Sequence, residues 1–257
     1  MPFSSCIIAA TPRSGSTLLC DLLTETGIAG RPHSYYRSQD VARRAQEWGV
    51  APPAQIGQAA FERAYRDAVV REGKAETAVF SLRLMWPTVA ELVARLSLIQ
   101  PDGLDDAARL RLAFGEPLYV HLSRQDKVLQ AVSLLKAEQS GLWHLGADGT
   151  PREQSPTVGP LAYDAARISD LVQELEQEDA AWAAWFKRHD IIPLALTYEE
   201  LAMSHQSALG QVLSALGLSS TAAAFAGAKT AKLEDEISAE WASKFRADKL
   251  IGHTKAE

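Results

Sequence analysis

The stretch "CIIAATPRSGSTLLCDLLTET", residues 6–26, decides the fold. Its opening run is apolar and partly β-branched, which predicts a strand over 6–11, and its leucines return at helical spacing, which predicts a helix over 16–26. Between them lies a short turn rich in hydroxyl side chains. Where a strand passes through such a turn into a helix, the first backbone N–H groups of the helix are unpaired and sit at the positive end of its dipole, ready for an oxyanion. Gly15 lets the backbone approach, Ser14, Ser16 and Thr17 offer hydroxyl donors, and Arg13 adds a permanent charge with a two-pronged fork. On these residues alone a plainer reading stays open: a helix start capped by Ser14 or Ser16, with Arg13 in solvent.

What the loop lacks narrows the anion. A Walker-type nucleotide loop has the form GxxxxGK[ST], and here Gly15 is followed by Ser16, with no lysine and no upstream glycine in register. A tyrosine-phosphatase loop opens on a nucleophilic cysteine with five residues before its arginine. Six residues separate Cys6 from Arg13, and Cys6 lies back in the strand. Neither pattern is met.

Outward from the loop, three more runs read as strands: "AVFSLRL" (78–84), "PLYVHLS" (117–123) and "IIPLALT" (191–197). Helical segments at 39–49, 58–73, after Arg124, and at 164–189 separate them, so the chain predicts an α/β fold with a central, mostly parallel sheet flanked by helices. Ile168, Leu171, Val172, Leu175, Trp182 and Phe186 form a core stripe interrupted by Glu178 and Asp179. The Gly- and Pro-rich segment 141–160 reads as a lid or an acceptor-binding loop, and about 233–250 as a final amphipathic helix. With 257 residues, 47% of them hydrophobic, one domain spanning 1–257 is the expected organisation.

A net charge of −6 argues against an unspecific binder of nucleic acid or of anionic membrane, so any anion site has to be local. Two cysteines give neither a disulfide framework nor metal spacing, and no metal is expected. The N-terminus lacks a basic leader and no apolar run is long enough to span a bilayer, so the expected location is the cytoplasm.

A second strand-to-helix passage, "YVHLSRQDKVLQAVSLL", places Arg124 at a strand's C-terminal end and Ser133 nine residues later on the following helix. In an open parallel sheet, ligands bind beyond the carboxyl ends of the strands. Two anion sites along one such edge suit a ligand with two separated anionic groups.

Together "TPRSGSTLLCDLLTETGIAGRP" (11–32), "RLMW" (83–86), "HLSRQDKVLQAVSLLKAEQSGLW" (121–143) and "SAEWASKFR" (238–246) resemble the bacterial trehalose-sulfotransferase-like (Stf-type) sulfotransferases, with their lipopolysaccharide-sulfotransferase relatives. The resemblance implies a P-loop-like three-layer fold that binds 3′-phosphoadenosine 5′-phosphosulfate (PAPS), transfers its sulfonate to a carbohydrate or glycolipid hydroxyl, and releases adenosine 3′,5′-bisphosphate (PAP). It implies that Arg13, Ser14, Gly15, Ser16 and Thr17 hold the 5′-phosphosulfate, that Arg124 and Ser133 hold the 3′-phosphate, and that Lys232 lies near the nucleotide. It also implies a possible homodimer. Arg83 and Trp86 are expected to line the transfer site.

One position departs from the family pattern. Where members carry a glutamate that is the candidate base for the acceptor hydroxyl, this chain has Ser34, in "GRPHSYY". The neighbouring His33 is then the expected base, since an imidazole titrates near neutrality. Ser34 and Tyr35 are expected at the acceptor, within a segment whose Arg31, Tyr36, Arg37, Arg43 and Arg44 suit an acidic glycan more than trehalose. The alternatives are a P-loop kinase-like transferase and a catalytically degenerate nucleotide-binding module of the same fold.

Overall fold

The computed structural model describes residues 3–145, 151–154, 159–227 and 236–254. Strands β1 (Ser5–Ala10), β2 (Phe80–Met85) and β3 (Pro117–Ser123) are followed by a hairpin pair, β4 (Leu142–Leu145) and β5 (Pro151–Gln154), and by β6 (Leu194–Thr197). Four of them form a parallel sheet in the order β2-β1-β3-β6, while β4 and β5 pair antiparallel on their own. β1 lies inside the sheet because both its faces are apolar. Ile7 and Ala9 enter one core, and Cys6, Ile8 and Ala10 enter the other.

The helices are α1 (Ser16–Glu25), α2 (Ser38–Glu47), α3 (Pro53–Ile56), α4 (Gln58–Lys74), α5 (Trp86–Ser97), α6 (Asp106–Phe114), α7 (Lys127–Ser140), α8 (Ala165–Arg188), α9 (Tyr198–Met203), α10 (His205–Ala215) and α11 (Glu236–Thr254). The Ile7 face is covered by α4, α5, α6 and the second half of α8, and the Ile8 face by α1 and α10. The result is the expected three-layer α/β architecture. A third cluster joins α7, the first half of α8 and α11, with Leu135, Leu171, Leu175, Trp241 and Phe245 at its centre.

β3 matches its expected range, and the other sheet strands shift by a residue or more. The largest change is the last strand, expected over 191–197 and formed only over Leu194–Thr197. Pro193 has no N–H to give a ladder, and Ile192 is 97% exposed, so the "IIP" run is a connection and not a strand. Within 141–160, the expected loop contains the β4–β5 hairpin. Among the described residues, no helix is long and apolar enough to cross a membrane.

Candidate active site

All four parallel strands end on one edge, and residues 11–17 continue β1 there. Arg13 and Gly15 both take left-handed φ, 63° and 83°, with Ser14 between them on the ordinary side. Such alternation turns successive N–H groups toward one point and forms an anion-binding concavity. Gly15 is required twice over: its φ disfavours a side chain, and a Cβ there would stand 2.7 Å from Cδ2 of Tyr198. The plainer reading of the turn fails on its cap. Ser14 is buried and its hydroxyl donates back to the Thr11 carbonyl at 2.8 Å. The N-cap of α1 is Gly15, with no side-chain cap, as in α2 to α5, whereas Asp105, Asp126, Asp164, Thr197 and Ser204 cap α6 to α10 in turn. The first turn of α1 is thus left without the capping oxygen that those helices have.

Other elements hold this loop in place. The Gln130 amide of α7, fully buried, donates to Thr11 Oγ1 at 3.0 Å and to the Pro12 carbonyl at 2.7 Å. Trp182 of α8 donates its indole N–H to the carbonyl of Ala10, the last residue of β1, at 3.2 Å. Arg13 reaches across to α7, donating from Nε to Ser133 Oγ at 3.0 Å and from Nη1 to the Trp143 carbonyl. The loop arginine and Ser133 of the second motif therefore meet directly.

Arg124, 6% exposed, holds its guanidinium carbon over the Tyr198 ring, 4.4 Å from the centroid, a cation–π contact. Tyr198 thus touches both expected anion sites, Gly15 on one side and Arg124 on the other. Glu199 next to it accepts from the backbone N–H groups of Gln125 and Asp126 at 3.1 and 3.3 Å, fixing the entrance of α7. Lys127 donates to the Arg124 carbonyl at 2.5 Å and to Asp179 of α8 at 2.5 Å, so the turn after Arg124 is tied on both sides.

On the β2 side, Arg83 donates to Thr17 Oγ1 at 2.6 Å and to Ser34 Oγ at 2.8 Å. It bridges the loop helix to the position where the family pattern has glutamate. His33 is exposed, and Arg44 donates to its Nδ1 at 2.9 Å. A guanidinium can only donate, so that nitrogen offers its lone pair to Arg44.

The expectation for the 31–49 segment requires correction. Tyr35 and Tyr36 are both buried in the core cluster with Phe61, Tyr65 and Phe80, and Tyr35 spends its hydroxyl on the Arg31 carbonyl at 2.6 Å. Neither ring face is open to a sugar. Arg43 is engaged by Asp40 and Glu47, and Arg44 sits over Tyr35 and Trp48. Trp86 is half-buried at the start of α5, edge-on to Trp182 at 5.2 Å. Lys232 lies outside the described residues.

Both cysteines are buried free thiols, pushed up to about 12 by burial, which leaves them protonated and unreactive at neutral pH. Gln130, Tyr198, Glu199 and the anchoring role of Trp182 are not among the features the sequence marks out. Gln130 and Tyr198 do carry a signal: a polar residue in the apolar part of α7, and an aromatic directly after a strand end, the same register that Arg124 occupies after β3.

A profile of the Stf0 sulphotransferase family matches residues 5–248. The trehalose 2-sulfotransferase of Mycobacterium tuberculosis is 31% identical, and that of Mycolicibacterium smegmatis 29%, each alignment covering 94% of both chains. Among solved structures, the sulfotransferase domain of the Synechococcus PCC 7002 olefin synthase is similar with a TM-score of 0.46 and 15% identity, over 94% of this chain and 86% of that one. With its uncapped, arginine-bearing loop on the edge of a parallel sheet, the chain belongs to the Stf0 sulphotransferase family.

Proposed function

We propose that this protein transfers the sulfonate of PAPS to a hydroxyl group of a carbohydrate or glycolipid acceptor. The observation that carries the reading is the convergence of the loop, Arg124 and Ser133 on one sheet edge, joined by Tyr198 and by the Arg13–Ser133 hydrogen bond. A donor with a phosphosulfate at one end and a 3′-phosphate at the other matches two cationic subsites with a fixed spacing. The residues suit it: the loop amides and Ser16 serve the phosphosulfate end, Ser14 shapes the loop through its bond to the Thr11 carbonyl, and Arg124 and Ser133 serve the other end. The acceptor class rests on the relatives, which are named for sulfation of trehalose, a sugar.

In such a transfer the bridging oxygen gains negative charge as its bond to sulfur lengthens. Arg13 and the amides at the start of α1 are placed to stabilise that charge, which is most effective where donors are fixed beforehand. Arg83, held by Thr17 and Ser34, borders the same helix start and orients the reacting group from the β2 side. A kinase-like alternative lacks the loop lysine, and a degenerate binding module would take up PAP without turnover.

The test is transfer of labelled sulfonate from PAPS to trehalose and to a bacterial glycolipid extract. A labelled ester on either acceptor supports the reading. PAP binding with no ester on any acceptor would favour the binding module, and magnesium-dependent ATP turnover would favour the kinase.

A further inference from the structure

One carboxylate interrupts the inward stripe of α8. Leu171, Leu175, Trp182 and Trp185 all face the interior and are at most 2% exposed. Glu178, three residues after Leu175 and four before Trp182, falls on the same line of the helix. It is nevertheless only partly covered, while its Oε2 is shielded from solvent and has no hydrogen-bond partner. An inward residue left partly open between closed neighbours borders a crevice.

The next turn of the helix locates that crevice. Trp182 holds the carbonyl of Ala10 at the end of β1 and packs on Trp86 at the end of β2. Because α8 leads back into the parallel strand β6, it descends from the C-terminal edge, and the turn before Trp182 stands above that edge. Asp179 confirms the level from the adjoining flank through Lys127, which also binds the Arg124 carbonyl. Glu178 is thus over the edge that carries Arg13 and Arg124, one turn from Trp182, whose ring packs on Trp86, the tryptophan expected at the transfer site.

Resting on the sulfonate-transfer reading above, we propose that Glu178 is the catalytic base that accepts the proton of the acceptor hydroxyl. The hydroxyl oxygen forms its bond to sulfur and the bond from sulfur to the bridging oxygen breaks. That electron pair leaves on the 5′-phosphate, and the hydroxyl proton passes to Glu178, which later yields it to water. Burial, with Asp179 and Glu174 nearby, pushes its carboxyl up to about 7, close to what proton transfer near neutral pH asks of a base. The charged groups nearest it are Asp179 and Glu174 of its own helix, and on the facing elements stand Lys127 of α7, paired with Asp179, and His121 of β3, held low by burial. The nearer alternatives are occupied, since His33 accepts from Arg44 and Ser34 from Arg83.

Wild type, Glu178→Gln, Glu178→Asp and His33→Ala are compared with labelled PAPS, a trehalose or glycolipid acceptor, and separate PAP titrations. The expected result is a wild-type kcat/KM that rises to a plateau with a break near pH 7. Glu178→Gln is expected to lower kcat by about 100-fold or more, abolish the break and keep PAP affinity within about twofold. Glu178→Asp should restore part of the turnover together with a pH break, and His33→Ala should keep the break. The proposal is overturned if Glu178→Gln keeps wild-type turnover or the break, if it loses PAP affinity in parallel with turnover, or if the break vanishes only in His33→Ala. Should Glu178→Gln fail to fold, Glu178→Asp decides, with an unshifted break and full turnover counting against the base. A wild type that neither binds PAP nor transfers label fails earlier, at the reading itself, and removes the proposal with it.

Discussion

Gly15 sits in the left-handed region with Tyr198 pressed against the space a side chain would fill. An alanine there pays about 1–2 kcal/mol for the backbone conformation and has to displace the ring that also supports Arg124. Gly15→Ala is therefore expected to lower Tm by about 3–8 °C and to weaken PAP binding in the same variant. An unchanged Tm in a thermal melt would show that the loop relaxes more freely than this geometry allows. Glu178 acts on stability in the opposite sense. Its folded pKa of about 7 lies above the ordinary 4.5, so between those values the folded protein holds a proton that the unfolded chain has lost. Stability should fall as pH rises from about 4.5 to 7 and level off above it. Because the group is partly open to solvent, the penalty is discounted to about 1–2 kcal/mol. Glu178→Gln should therefore be more stable than wild type at pH 8, as denaturant melts would read. The same pH dependence in both proteins would place the carboxylate in solvent.

Among the elements, α7 does most to shape the site. Its Gln130 satisfies two oxygens of the 11–12 segment at once, and removing the amide leaves buried acceptors without partners, at about 1–3 kcal/mol. Gln130→Ala should weaken PAP binding severalfold by loosening the loop, with Gln130→Glu no better, since a carboxylate cannot donate to the Pro12 carbonyl. Full affinity in Gln130→Ala, measured by calorimetry, would mean that Trp182 alone fixes the loop. The strand-turn-helix of residues 5–25 and the β3–α7 passage were legible in the sequence because each announces itself locally, by an apolar run, a small-residue turn and leucines in period. The supports were not legible, because Gln130 and Tyr198 act on residues more than a hundred positions away. Tyr35 and Tyr36 misled for another reason. They lie in a turn, where no helical or strand period says which side faces inward, and only the packing of Phe61, Tyr65 and Phe114 decides it.

For the whole molecule, β1 at the centre ties the cores together: its two faces feed separate clusters, and its end is held by both α8 and, through the loop, α7. We expect one domain, and so a single cooperative transition followed alike by tryptophan fluorescence and far-UV circular dichroism. Two resolved transitions would separate the α7–α8–α11 cluster from the sheet. The central claim is that one sheet edge binds a donor with two anionic ends, and its most direct measurement is calorimetric titration of PAP into wild type and Arg124→Ala, with ATP as a control. The account predicts saturable binding of PAP, weaker binding of ATP, and more than a tenfold loss in Arg124→Ala, the value of a charge-assisted contact of about 1.5–3 kcal/mol. Equal affinity of the two proteins for PAP, or preference for ATP, would contradict it.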